Sequence, residues 1–394
     1  MKVSDFIAVK DPKVAAHYRG KQASIGHFVQ DYINEKVDIN TDLFEMLGHK
    51  DDLFTYDYIG HHYKFFFSRM IPEVVSHSQK QDERIVRSHY DNKNDLFNWF
   101  LGPRMIYTSC YFQDQNESLE AAQDNKMNLI ARKMQLKPGE RLLDIGCGWG
   151  TLVAHMAKYY GVDATGVTIA QAGADWGTRQ IAEYGVSPEK ARILRMDYRD
   201  IPRDRKYDKI TCLEMAEHVG IKNFKKFMKQ IYDMLEDDGL FYMQIAALRE
   251  RNHLFQKENR EDLVWGLFMN EYIFSGADAS MPLNWDVQRL EKVGFEVHSV
   301  ENIGIHYAKT IHYWYDNWMS NREKVLEKYG EQTFRIYSIF LAWSVYIARQ
   351  GGSTAYQIVC RKNLNTADRN RFIGTTNLGE TEASTVAKAA LATV

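Results

Sequence analysis

No stretch of this 394-residue chain approaches about eighteen continuous apolar residues, so no membrane-spanning helix is expected. The opening residues, MKVSDFIAVKDPK, lack the apolar run that a secretory signal requires. Charge of one sign is also lacking. Fifty Lys and Arg stand against 52 Asp and Glu, a formal net charge of −2, and nothing in that balance favours a nucleic-acid partner. Only four cysteines occur, Cys110, Cys147, Cys212 and Cys360, with neither metal nor disulfide spacing, which fits a reducing compartment. No HxxxH or CxxC cluster offers a metal site, and no serine sits in a GxSxG elbow. Internal repeats are absent. The expected location is therefore cytoplasmic or at a membrane surface.

What the chain has is aromatic residues and one glycine turn. The 23 Tyr, 20 Phe and 8 Trp serve either a large core or a pocket for an apolar or cationic group. Residues 143–150 read Leu-Asp-Ile-Gly-Cys-Gly-Trp-Gly. A strand pattern, Arg141–Ile145, runs into Gly146, Gly148 and Gly150, and a helical pattern follows, Thr151–Tyr160. Strand, glycine turn and helix in that order build a nucleotide-binding corner. Glycines admit a ligand close to the backbone, and the helix start offers free N–H groups. The spacing is D-x-G-x-G-x-G rather than the dinucleotide GxGxxG. That form suits S-adenosylmethionine, which has no pyrophosphate to cradle.

Residues 1–90 look helical and irregular. Within them Tyr56–Val75 is an aromatic amphipathic stretch that reads as a lid, a membrane-surface helix or a helix packed on the core. From Gln123 the pattern alternates. Helix Asp124–Met134 is followed by strand Arg141–Ile145, helix Thr151–Tyr160, strand Asp163–Thr168, helix Ala170–Tyr184 and strand Ala191–Met196. Strand Lys209–Leu213, helix Asn223–Leu235 and strand Gly239–Ala246 come next, with Asp237-Asp238-Gly239 as a turn. Helix Asn284–Val293 stops at Gly294 before strand Phe295–Val300. Long helices Tyr307–Tyr329 and Glu331–Arg349 precede the last strand, Tyr356–Cys360. The expected architecture is α/β, Rossmann-like, with a mostly parallel seven-stranded sheet and helices on both faces. Its expected divisions are a helical N-terminal region and lid (1–122) and a cofactor-binding core (123–362). A helical cap is inserted at about 247–284, helices run over 307–349, and a disordered tail follows from 363 to 394.

Ligands of open α/β sheets sit beyond the carboxyl ends of the strands. Those ends carry Asp144, Thr168, Asp197-Tyr198 and Glu214–Glu217. Asp144 could fix the turn or face a cofactor amine. Asp197 could accept from an adenine amino group or simply cap a turn, and Tyr198 could stack on the ring. The acid that often binds ribose hydroxyls at the second strand's end is missing; Thr168, Ile169 and Gln171 occupy that place.

Several further runs carry a family resemblance. They are His89-Tyr-Asp-Asn-Lys-Asn-Asp95, Phe100-Leu-Gly, Tyr107-Thr-Ser-Cys-Tyr-Phe112, LDIGCGWG at 143–150, GVTIA at 166–170, EMAEHVG at 214–220 and Tyr307-Ala-Lys-Thr-Ile-His-Tyr-Trp314. Together they span residues 85 to 360 and resemble the cyclopropane-fatty-acid-synthase-like methyltransferases. NWFLGPRMIYTS, MDYRDIP, CLEMAEHVG, WGLFMNEYIF, SGADAS and ARQGG resemble the fungal sphingolipid C9-methyltransferases within that group. The resemblance implies methyl transfer from S-adenosylmethionine to a lipid alkene carbon, with Tyr107 and Thr108 at the cofactor. It also implies a bound bicarbonate base, held by a Cys, a Glu, a His, a Tyr and a backbone N–H. Here the Glu falls on Glu217, the Tyr on Tyr307 and the backbone donor on Ala246. The Cys position is Ser109, with Cys110 displaced by one, and the His position is Gln244. Two of the four side-chain ligands thus differ, which puts bicarbonate binding and cyclopropane formation in doubt. His218, beside Glu217, is a candidate base, although neighbours on a helix point different ways. His306 and His312 read as structural.

The fungal enzymes resembled carry N-terminal membrane spans and this chain shows none. Either the spans are missing from this chain or it is a soluble relative with another substrate; the Met1 start favours the second, which turns attention to small acceptors. Three readings stand. The first is a lipid C-methyltransferase with a long apolar tunnel and peripheral membrane contact. The second is a soluble N- or S-methyltransferase, for an amine or thioether, with a short closed pocket. The third is a cofactor-binding scaffold, which the intact glycine turn, Glu217 and Tyr307 argue against. A homodimer stays open, and no metal is called for.

Overall fold

The computed structural model describes residues 1–72, 93–250, 257–275 and 280–373. The chain divides into two compact units. One draws on Met1–His77, Arg249–Ala277 and Tyr307–Ser353, the other on Ser78–Leu248, Asp278–His306 and Thr354–Val394.

The second unit is built on a seven-stranded sheet. Its strands are β1 (Arg141–Ile145), β2 (Asp163–Thr168), β3 (Ala191–Arg195), β4 (Tyr207–Leu213), β5 (Leu235–Leu248), β6 (Phe295–Asn302) and β7 (Ser353–Lys362). The order across the sheet is β6-β7-β5-β4-β1-β2-β3. β1 pairs in parallel with β2 and β4, β2 with β3, and β4 with β5, whereas β6 and β7 pair antiparallel. This is the mostly parallel sheet expected from the alternating pattern. Successive residues of β1 face opposite layers, as the two-residue period of a strand requires. Leu143 and Ile145 join Phe224, Phe227 and Ile231 of helix Ile221–Met234. Leu142 joins Val153 and Met156 of helix Thr151–Tyr160 and Met127 of helix Leu119–Lys133. Covering both faces explains why Leu142 and Leu143, on opposite sides of β1, are both apolar.

β5 begins earlier than expected, at Leu235 rather than Gly239. Leu235 already pairs with Tyr207, and the register then shifts before Lys209 meets Leu240. The bend needs Gly239, where a Cβ would lie 2.7 Å from the Leu235 side chain. Beyond β7, the segment expected to be disordered forms one 3-10 turn at Arg369–Phe372, capped by Asp368. The Arg361 guanidinium sits 4.2 Å from the Phe372 ring centroid. The expected disorder of 374–394 lies outside the described residues, as do 73–75 of the amphipathic stretch, 89–92 of the first motif, and 251–256 and 276–279 of the cap.

The first unit is mainly helical, with two small pairings absent from the sequence reading: Ile7–Val9 with Val37–Ile39, and Ala23–Ser24 with Phe54–Thr55. The long C-terminal helical run, Arg322–Arg349, breaks at Gly330 (φ 79°), where the sequence reading separates its two helices. Buried charges fix this unit. Arg335 donates to the carbonyls of Tyr32 (3.0 Å) and Val37 (2.9 Å) and to Asp38 (2.6 Å) and Glu331 (2.7 Å). Glu261 accepts from Lys50 at 2.9 Å and from the Trp343 indole at 3.1 Å. Arg335 and Glu261 are thus answered, as buried charge requires.

Candidate active site

The carboxyl ends of β1, β2 and β4 are brought level by their pairing, with Asp144 opposite Gly166 on one side and Thr211 on the other. A cavity of about 210 Å³ opens there, wholly within the second unit. Gly146 (φ 77°) and Gly148 (φ 55°) form its floor in the left-handed region that favours glycine. At Gly146 a Cβ would come within 2.4 Å of the Met215 side chain; at Gly148 it would point into open space. The turn leads into helix Thr151–Tyr160, whose first N–H groups have no partner within the helix. The cavity's mixture of apolar wall and a few acids fits an adenosyl group with a cationic amino-acid end.

Nine of the eleven residues expected around the cofactor line this cavity: Tyr107, Thr108, Asp144, Gly146, Gly148, Thr168, Ile169, Asp197 and Tyr198. Gly150 and Gln171 do not. Gly150 sits behind the turn, where a Cβ would be 2.8 Å from Ile193. Gln171 turns outward and donates to Asp175 at 2.7 Å. Asp197 does cap the turn at Tyr198–Asp200, and Arg199 holds both its oxygens at 2.7 Å.

Asp144 is buried and accepts from the Thr211 hydroxyl at 2.7 Å. Burial raises its pKa to about 6, opposed by that hydrogen bond and by the Lys126 charge. Lys126 was not singled out in the sequence, yet its fully buried ammonium lines the cavity and donates to the Thr108 hydroxyl. Burial lowers its pKa. Glu214, Met215 and Arg199 are further lining residues that sequence reading did not assign to the cofactor, and Gly173 is another. There a Cβ would lie 2.5 Å from the Gly148 carbonyl oxygen, so helix Gln171–Glu183 packs directly on the glycine turn.

The residues expected to do chemistry separate into distinct settings. Ser109 and Gln244 are fully buried and share one acceptor, Glu214. Glu214 Oε1 takes the Ser109 N–H at 3.0 Å and the Gln244 amide at 2.6 Å. The Gln244 carbonyl accepts from Gln357 at 3.3 Å. Neither Ser109 nor Gln244 lines the cavity. Glu217 and His218 share the single turn Ala216–Val219, and only His218 faces the cavity. Glu217 is buried, and its Oε1 accepts the Ala246 N–H. That N–H is the one matched to the bicarbonate donor. Its Oε2 is buried without a hydrogen-bond partner. Burial, reinforced by Glu214, pushes the Glu217 pKa well above the usual carboxylate range. His306 is structural: its Nδ1 accepts the Phe112 N–H at 3.2 Å. Tyr307 belongs to the first unit, where it meets Trp314 edge-on at 6.4 Å. Among the described residues no group of three or more His, Cys, Asp or Glu could hold a metal ion.

Residues 77–358 match the family described as mycolic acid cyclopropane synthetase. The chain belongs to that family. It is an S-adenosylmethionine-dependent methyltransferase with the class I fold. A sphingolipid C9-methyltransferase of Komagataella phaffii is 48% identical over 383 residues, 95% of this chain and 77% of the relative. Sphingolipid C9-methyltransferase A of Emericella nidulans is 45% identical over 95% of this chain and 73% of its own length. Among solved structures of the family, a mycolic acid cyclopropane synthase complexed with SAH and CTAB superposes with a TM-score of 0.66 at 26% identity. The match covers 71% of this chain and 98% of that one. Among the described residues, no helix is long and apolar enough to cross a membrane.

Proposed function

We propose that this chain methylates the C9 alkene carbon of a sphingolipid. The observation that carries the reading is the 48% identity with a sphingolipid C9-methyltransferase over 95% of the chain. The settings of Glu214 and Glu217 support it.

When bound, S-adenosylmethionine supplies an electrophilic methyl group and leaves as a thioether. Asp144, Gly146 and Gly148 would hold its amino-acid end, and Asp197, Tyr198, Thr168 and Ile169 would frame the adenosine. Tyr107 and Thr108 close the cavity from the neighbouring loop, with Lys126 holding Thr108. The substrate's π electrons form the new C–C bond, leaving a cation on the adjacent carbon. Loss of the proton from the methylated carbon restores the double bond and gives a branched alkene. Glu217 Oε2, buried and without a partner, is the acceptor for that proton. In its carboxylate form it takes that proton, and burial together with the neighbouring Glu214 raises its pKa and so strengthens it as a base. No bicarbonate is needed, because Glu217 itself takes the Ala246 N–H, the Ser109 hydroxyl donates to the Cys110 carbonyl, and the Gln244 amide donates to Glu214. Tyr307 enters the assignment through the family motif alone.

The test is to supply methyl-labelled cofactor together with ceramide-rich membranes or with a soluble metabolite extract. Label in the sphingoid chain is expected. Label confined to small polar products would instead support an amine or thioether acceptor.

A further inference from the structure

The helical run from Gly60 to Pro72 has one buried half and one bare half. Its first turn is anchored: Ile59, His62 and Phe65 are buried. Four large apolar side chains of the run stand exposed. Tyr63 is 55% exposed, Phe66 38%, Phe67 65% and Ile71 39%. Their spacing is three and four residues, so they form one stripe along the helix. A wide turn at Phe66–Met70, closed by the Ile71 N–H on the Phe66 carbonyl, leaves Tyr63, Phe67 and Ile71 aligned. An exposed stripe of this size is costly in water and ordinarily marks a contact surface.

Charge indicates what it contacts. No Asp or Glu occurs between Asp57 and Glu73, whereas Lys64 and Arg69 stand exposed beside the stripe. The Arg69 guanidinium lies 5.9 Å from the Phe65 ring centroid, so it leaves the helix on the side of the buried anchor. An apolar stripe bordered by cations, with a tyrosine among its members, has the composition of a helix lying in a bilayer interface. A second copy of this chain would bring these cations against their like.

We propose that residues 63–71 dock the protein on an anionic lipid surface, with Phe66, Phe67 and Ile71 entering the acyl boundary and Lys64 and Arg69 at the headgroups. The choice of a lipid surface rests on the sphingolipid acceptor proposed above, since such an acceptor resides in a bilayer. Neither Phe66 nor Phe67 belongs to the cofactor site, so docking and chemistry can be separated.

The full chain is floated with vesicles of phosphatidylcholine, with and without phosphatidylserine. The protein is expected to float with the anionic vesicles, more weakly at high salt. The double variant Phe66→Ser, Phe67→Ser is expected to lose about tenfold or more of the partition constant. Lys64→Glu with Arg69→Glu is expected to abolish the preference for phosphatidylserine. Both variants keep wild-type turnover on detergent-dispersed sphingolipid. Flotation unchanged in the aromatic variant overturns the proposal, as does no flotation of the wild type. A wild-type dimer that the aromatic variant splits in sedimentation overturns it in favour of a second copy. Flotation as expected, with no label reaching any lipid, leaves docking intact and refutes the acceptor instead.

Discussion

Glu214 and Gln244 are joined by a 2.6 Å hydrogen bond from the Gln244 amide to Glu214 Oε1, and the Glu214 N–H donates to the Gln244 carbonyl at 2.7 Å. A position that the family resemblance matches to a bicarbonate ligand is thus a strand-to-strand clasp between the ends of β4 and β5. Gln244→Leu leaves the half-buried Glu214 carboxylate and the buried Gln357 amide each short of a partner. A loss of about 1–3 kcal/mol of stability is expected, read from the denaturant midpoint. An unchanged midpoint would mean that the clasp is idle.

Gly148→Val tests the floor of the cavity. A branched residue is strained at φ 55°, and its side chain would stand where the cavity is open. SAH affinity is expected to fall about tenfold to a hundredfold, measured by calorimetry, with the circular dichroism of the fold retained. Undiminished affinity would remove the glycine turn from the cofactor site.

Asp286 carries a pH signature. It is fully buried on helix Leu283–Lys292 with neither oxygen hydrogen-bonded, and burial raises its pKa to about 8. The folded state therefore binds a proton that the unfolded state has released. Stability falls as pH rises from the unfolded value near 4 up to about 8. Asp286→Asn removes that slope and is expected to be about 2–4 kcal/mol more stable than wild type above pH 8. Parallel unfolding midpoints from pH 5 to pH 9 would contradict this.

Glu217→Gln separates proton acceptance from cofactor binding. Turnover is expected to drop by about 10²–10⁴, while SAH affinity holds, because Glu217 does not line the cavity. Equal losses in both would assign Glu217 to cofactor binding.

The strands, the glycine turn and most residues that line the cavity were legible because each rests on local pattern: apolar runs, left-handed glycines and strand ends. The divergence of Glu217 from His218 followed from helix geometry alone. Lys126 was missed because a lysine on helix Leu119–Lys133 reads as a solvated charge, and only the packing buries it. Glu214's hold on Ser109 and Gln244 depends on β4–β5 register and on a loop more than a hundred residues away, which spacing does not encode. Asp286 drew no notice for the same reason, since nothing in helix Leu283–Lys292 signals that its carboxyl is buried.

The most direct measurement is the structure of the product formed from an 8-unsaturated sphingolipid and methyl-labelled cofactor in bicarbonate-depleted buffer. The expected result is a methyl group on a retained carbon–carbon double bond, formed at the same rate when bicarbonate is restored. A cyclopropane ring, or turnover that depends on added bicarbonate, would contradict Glu217 as the proton acceptor.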